Sequence, residues 1–217
     1  MTIYDLVDKL TLLSPIGLFI GLLAGLYFYT SLNIVHRIIT LYLAIAFGTD
    51  LLSRLLSYFG EVNLVLMPIF NLIELILFGL VYLHFFQFKK KYLISGILIC
   101  FLVPFFGDLY SVLKFREDIS NSYSSLFGSL GIVILSFLFF FERIKAYHEM
   151  NWNLFRLNSA ILIYFSVKLV FYIPFDFFVH VDAEFKFYFW LIHLMLLICF
   201  YLFLARSIWN NGNIPKQ

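Results

Sequence analysis

The chain has 217 residues, of which 63% are hydrophobic and 13% charged, with a net charge of +2 and a mean hydropathy of +0.95. A soluble domain carries about 25% charged residues and just under half apolar ones, and a chain this short leaves too much surface outside for one core to hide the excess. These figures exclude a water-soluble enzyme and a nucleic-acid-binding domain, and point to an all-α, polytopic membrane protein forming a single transmembrane domain over residues 1–217.

A helix needs about 20 apolar residues to cross the hydrocarbon core. Seven stretches qualify, at about 10–29, 35–58, 64–87, 92–113, 124–142, 157–179 and 185–207. The opening MTIYDLVDKL carries Asp5 and Asp8 and lacks the basic flank of a secretory signal, so the first span is expected to be retained. Within that span, SPIGLFIGLLAG sets Gly17, Gly21 and Gly25 at four-residue spacing. Such a face lets helix backbones approach closely, within the chain or, as the alternative, in a homodimer.

The second span reads FGTDLLSRLL, and Asp50, Ser53, Arg54 and Ser57 follow i, i+3, i+4, i+7 along one face. Asp50 and Arg54 are therefore within reach of each other. Asn71 and Glu74 share a face of the third span, and the fourth carries Asp108. The fifth shows a small face through Ser125, Gly128, Ser129 and Ser136. Tyr164, Lys168 and Tyr172 form a stripe on the sixth, followed by Asp176, and the seventh carries His193. Pro68, Pro104 and Pro174 predict kinks in the third, fourth and sixth spans. Cys100 and Cys199 read as apolar packing residues.

Basic residues orient the bundle. Arg37, Lys89, Lys90, Lys91, Arg143, Lys145, Arg156, Arg206 and Lys216 fall on one side, against Lys9, Lys114, Arg116 and Lys186 on the other. The richer side is expected in the cytoplasm, with the N-terminus outside and the C-terminus inside. Its KKK loop also suits anionic headgroups of membrane lipid.

At about 1.5 Å per residue, Glu74 and Lys168 come near the midplane, Asp50 and His193 about 5 Å outward, and Arg54, Asp108 and Asp176 about 10 Å outward. The cytoplasmic half reads as polar-poor, with His84, Glu142 and Arg206 near its boundary. Ionisable groups at such depth are costly, about 2.5–3.5 kcal/mol each on insertion scales, and commonly mark a functional pathway. The expected site is thus an outward-facing polar cavity lined by Asp50, Arg54, Asn71, Glu74, Asp108, Lys168, Tyr172, Asp176 and His193, with Glu74 paired to Lys168 and Asp50 to Arg54. The competing reading makes the same pairs helix-to-helix glue at about 0.6–2 kcal/mol each.

The stretches TDLLSRLLSYFG, NLIELILFGLVYLHFF and FYFWLIHLMLLICFYLF, with the helix spacing, resemble a family of small seven-helix membrane proteins common in Bacteroidota. That resemblance covers nearly the whole chain. It implies a bacterial inner-membrane location and the company of signalling proteins, and it implies no chemistry.

Other families fit less well. A retinal protein needs its lysine in the seventh helix, whereas Lys168 lies in the sixth. Metal-dependent membrane hydrolases of the ceramidase and progestin-receptor type use several histidines. Here His193 stands alone, with His36 expected at the opposite membrane face. HExxH and CxxC are absent, so no metal or cofactor is expected, and the receptor signatures DRY and NPxxY are absent too. The chain is similar in size to lysoplasmalogenases, whose intramembrane aspartates Asp50 and Asp108 resemble, but those proteins normally have eight helices.

Three functions follow as expectations. The first is a receptor-like or accessory protein that binds a small ligand, lipid or partner helix and contacts a signalling or secretion partner. The second is an intramembrane lipid hydrolase with Glu74 or Asp50 as base and Lys168 or Arg54 holding an anion. The third is a small proton-coupled carrier.

Overall fold

The computed structural model describes residues 3–59, 65–86, 91–115, 123–145, 152–172 and 183–213. They form seven α-helices: α1 (Ile3–Tyr27), α2 (Ile34–Tyr58), α3 (Leu66–Phe85), α4 (Lys91–Phe115), α5 (Tyr123–Lys145), α6 (Trp152–Tyr172) and α7 (Ala183–Gly212). The last six are long and apolar enough to cross a membrane, while the apolar part of α1 is the shorter Leu13–Tyr27. An all-helical, multi-pass architecture follows, since a helix satisfies every backbone group within its own segment and lipid supplies none.

The outer faces suit that solvent. Ile99 and Val103 of α4 are 65% and 77% exposed, and Phe106 and Leu113 continue the same stripe. A contiguous apolar face of this kind is unstable in water and at home in lipid. Cys100 and Cys199, expected to be packed inside, are instead exposed. A small apolar thiol behaves as a hydrophobe, so a lipid-facing position suits it as well as a core one.

Several helices outrun their expected spans. The first begins at Ile3 rather than 10, α6 begins at Trp152 rather than 157, and α7 continues past 207 to Gly212. Hydropathy measures the chain that lipid accepts, whereas helical hydrogen bonding continues into the interface. Of the three expected kinks, Pro104 lies inside α4 and Pro174 lies outside the described residues. Pro68 occupies the first turn of α3, where its missing N–H belongs to the unbonded donors of any helix start, so it breaks nothing.

The chain forms two compact units, Met1–Leu55 with Phe177–Gln217, and Leu56–Asp176. In the first, α1 packs along α7. The three glycines of α1 allow this packing and that of α2 on the same helix. A Cβ at Gly17 would meet Tyr201 Cβ at 3.7 Å, and one at Gly21 would meet Ala205 Cβ at 3.3 Å and Leu43 Cδ1 at 2.7 Å. One at Gly25 would meet Thr40 Oγ1 at 2.6 Å. That face is filled by α2 and α7 of the same chain. Contacts step in opposite directions along α1 and α2, from Gly25–Thr40 through Phe19–Phe47 to Thr11–Arg54, so the two are antiparallel.

In the second unit α5 is the hub, with α3, α4 and α6 all packed against it. Its small residues allow this. A Cβ at Gly128 would press on the Phe101 ring at 3.0 Å, and one at Gly131 would meet Ile97 Cγ2 at 2.9 Å. Large rings fill the remainder, Phe85 lying 4.9 Å from Phe139 and Phe140 lying 4.8 Å from Phe155.

Candidate functional site

The polar groups of the second unit lie in tiers along α3. At the start of α5, the Asp108 carboxylate of α4 accepts from the Ser124 backbone N–H at 2.7 Å. Asn71 Nδ2 of α3 donates to Ser124 Oγ at 3.3 Å. Asp108 therefore caps a helix to which it does not belong, placing a negative charge on that helix's positive end. It is 4% exposed.

One turn along α3, Glu74 accepts from Lys168 Nζ of α6. Both side chains are almost fully buried, at 4% and 6% exposed. Lys168 also lies 5.5 Å from the centre of the Phe165 ring, a further site of negative potential for a desolvated ammonium. Phe165 in turn meets Phe78 of α3 edge to face at 5.0 Å.

A third tier lies about 12 Å beyond Glu74, two turns along α3 at the usual rise. Tyr82 Oη donates to Asn158 Oδ1 at 2.7 Å, and Ser136 Oγ donates to the same oxygen at 2.9 Å. Asn158 Nδ2 returns a bond to the Ser136 carbonyl at 3.3 Å. The part of the bundle expected to be polar-poor therefore holds buried polar groups as well. That expectation counted ionisable groups, and the buried amide and hydroxyls here carry no charge.

Glu74–Lys168, Phe78–Phe165 and Tyr82–Asn158 thus join α3 and α6 as successive rungs between antiparallel helices. Contacts of α3 with α5 keep step in one direction, from Asn71–Ser124 to Phe85–Phe139, which brings Ser129 to the level of Glu74. Ser129 Oγ is buried and has no hydrogen-bond partner among the described residues.

The first unit holds other candidates. Arg54 Nε donates to Asp50 Oδ2 at 2.9 Å, and Arg54 Nη2 donates to the Thr11 carbonyl of α1 at 2.9 Å. The expected Asp50–Arg54 pair therefore forms, half-buried, and is also tied to α1. His193 lies half-buried on α7, Tyr172 half-buried at the end of α6, and Asp176 outside the described residues. The described ones divide between the units: Asp50, Arg54 and His193 belong to the first, and Asn71, Glu74, Asp108, Lys168 and Tyr172 to the second.

Sequence reasoning passed over one cluster of the first unit. Asn33 precedes α2 and its Oδ1 accepts from the His36 backbone N–H at 2.9 Å, a helix N-cap. The same oxygen lies 2.7 Å from His36 Nδ1, and His36 Nε2 lies 3.0 Å from Ser207 Oγ of α7. Asn33 N–H donates to Asn211 Oδ1 at 3.1 Å. The signals were an asparagine directly before IVHRII and the polar run SIWNNG closing the last helix.

No group of three or more metal-ligating side chains occurs among the described residues. Comparison of the chain with protein-family models, with curated proteins and with solved structures gives no significant match.

Proposed function

We propose that the protein is a receptor-like or accessory membrane protein whose second unit recognises a small zwitterion, free or as a lipid headgroup, at the Glu74–Lys168 pair. The observation that carries this reading is the pair itself, an acid and a base from two helices, both removed from solvent. The desolvation of a buried pair roughly cancels its Coulomb attraction. A ligand that brings one charge of each sign therefore replaces each partner at little net cost. Ser129 Oγ, buried at the same level, offers a further polar contact. Separation of Glu74 from Lys168 removes a rung between α3 and α6, which is how occupancy would reach a signalling or secretion partner on the cytoplasmic side.

The orientation that goes with this reading has the N-terminus outside and the C-terminus cytoplasmic, in a bacterial inner membrane. Loop charge supports it, and a membrane-impermeant thiol reagent tests it on a single cysteine placed at Asn213, with Cys100 and Cys199 replaced.

The binding test uses thermal unfolding in nanodiscs. Phosphatidylethanolamine against phosphatidylglycerol discs tests headgroups, and added small zwitterions test free ligands. The midpoint is expected to rise with one of the two in wild type and to stay flat in Glu74→Gln/Lys168→Met. No rise with either source rejects the reading.

A further inference from the structure

We infer that Ser207, His36 and Asn33 form a second site in the first unit, a nucleophile, its base and the residue that positions the base, acting on the acyl ester of a membrane lipid. The inference is independent of the ligand site above.

Protonation follows from the partners. Asn33 Oδ1 accepts the His36 backbone N–H, so that atom is the amide oxygen and not the nitrogen. An oxygen that only accepts, 2.7 Å from His36 Nδ1, requires the ring proton on Nδ1. In the neutral ring Nε2 then carries the lone pair, and Ser207 Oγ at 3.0 Å donates to it. Hydroxyl, imidazole and orienting oxygen thus stand in the order that activates a serine. A helix cap needs only Asn33 and a backbone N–H. The imidazole and the hydroxyl, supplied from 171 residues away, add nothing to a cap.

The surroundings indicate the substrate. Ser207 is half-buried, and its neighbours Arg206 and Trp209 are exposed. Tyr29 is 49% exposed and carries the Arg37 guanidinium over its ring at 5.4 Å. Tryptophan, tyrosine and arginine gather at the membrane–water interface. This is the depth at which glycerolipid ester carbonyls lie, between headgroup and chain. Exposed Arg206 supplies a positive charge on the same turn of α7 for a lipid phosphate. Asn211 lies one turn beyond Ser207, and because its Oδ1 is taken by Asn33 N–H, its Nδ2 hydrogens remain as donors for a carbonyl oxygen gaining charge.

The reaction balances with water as co-reactant. Ser207 Oγ bonds to the ester carbonyl carbon as its proton passes to His36 Nε2, and the alcohol oxygen leaves with that proton. Water then gives a proton to Nε2 and its oxygen to the acyl carbon. The Oγ–acyl bond breaks, and Ser207 recovers its proton from the ring.

The test uses the full chain in phospholipid nanodiscs with a fluorophosphonate probe, the label located by peptide mass spectrometry and fatty acid release followed in parallel. Label is expected on Ser207, with none there in Ser207→Ala. In His36→Gln the labelling rate should fall by about 10²–10⁴-fold, the usual contribution of a general base. Asn33→Ser still caps α2 but no longer reaches the ring, so it should keep the thermal midpoint while labelling slows about tenfold or more. Asn33→Asp, which retains both contacts, should restore the rate. An unlabelled Ser207 in protein with the native unfolding midpoint overturns the site. So does labelling indifferent to His36 and Asn33. Labelling with no fatty acid release overturns the lipid ester as substrate.

Discussion

Arg54 donates to the carbonyl of Thr11, and Thr11 is the residue whose helical hydrogen bond is removed by Pro15. In an α-helix the N–H of residue 15 would bond to the carbonyl of residue 11, and proline has none to give. A carbonyl that loses its helical N–H gains from a donor supplied by a neighbouring helix. The guanidinium of α2 is such a donor, and Asp50 balances its charge at 2.9 Å. The charged pair in FGTDLLSRLL is thereby tied to a proline in the first span.

Arg54→Met should therefore destabilise the protein by about 1.5–3 kcal/mol, the range for a hydrogen bond to a charged group. In a Pro15→Ala background, where the helix supplies its own N–H to Thr11, the same change should cost less, by about 1 kcal/mol of coupling. A double-mutant cycle of unfolding in micelles measures this. Zero coupling would mean that Arg54 serves Asp50 alone.

The buried Glu74–Lys168 pair predicts a non-additive pattern. Lys168→Met alone leaves a carboxylate without its cation and should cost about 3–5 kcal/mol. Glu74→Gln alone strands the ammonium at a similar cost. The double variant Glu74→Gln/Lys168→Met should recover most of the loss, because no charge is then buried unpaired. Equilibrium unfolding of the four proteins checks it, and additive losses would contradict it.

Much of this arrangement was legible beforehand. Helical spacing alone put Asp50 within reach of Arg54, and depth along each span put Glu74 level with Lys168. Both pairs are carried by the cost of charge in lipid, which leaves a strong mark on sequence. Asn158, Ser136 and Tyr82 were not legible, because a neutral amide or hydroxyl is cheap enough to appear anywhere in a membrane helix. The service of Asp108 to Ser124 was hidden for another reason. Its partner is a backbone N–H, which every residue but proline has, so only the packing of α4 on α5 shows it. His36 fell outside the search because it was read by depth, as an interfacial residue, and its partners lie far apart in sequence.

Asp108→Asn should keep the hydrogen bond to Ser124 and lose the charge that favours the start of α5. Asp108→Ala should lose both. The expected costs are about 0.5 kcal/mol and about 1–2 kcal/mol, from the dipole and the cap respectively. Hydrogen exchange at Ser124 and Ser125 gives the local reading. Protection there should fall in Asp108→Ala, while amides at Leu135 and Ser136, three turns along, stay unchanged.

Asn158 separates two kinds of loss in one network. Tyr82→Phe removes a single donor, and Asn158 Oδ1 still accepts from Ser136 at 2.9 Å. That change should cost about 0.6 kcal/mol, the mean for side-chain hydrogen bonds between membrane helices. Asn158→Leu keeps a side chain of similar shape, but it takes away the amide oxygen that accepts from the buried Tyr82 hydroxyl, while Ser136 Oγ keeps the backbone carbonyl of residue 158 at 3.4 Å. A buried hydroxyl deprived of its acceptor, at about 1–3 kcal/mol, makes the expected cost larger than for Tyr82→Phe. Adding Tyr82→Phe to Asn158→Leu should then raise stability, since it deletes a hydroxyl that has nothing left to bond. Unfolding midpoints of the two single variants and the double variant, in one detergent at one temperature ramp, decide the matter. A double variant less stable than Asn158→Leu would mean that Tyr82 Oη has a second acceptor.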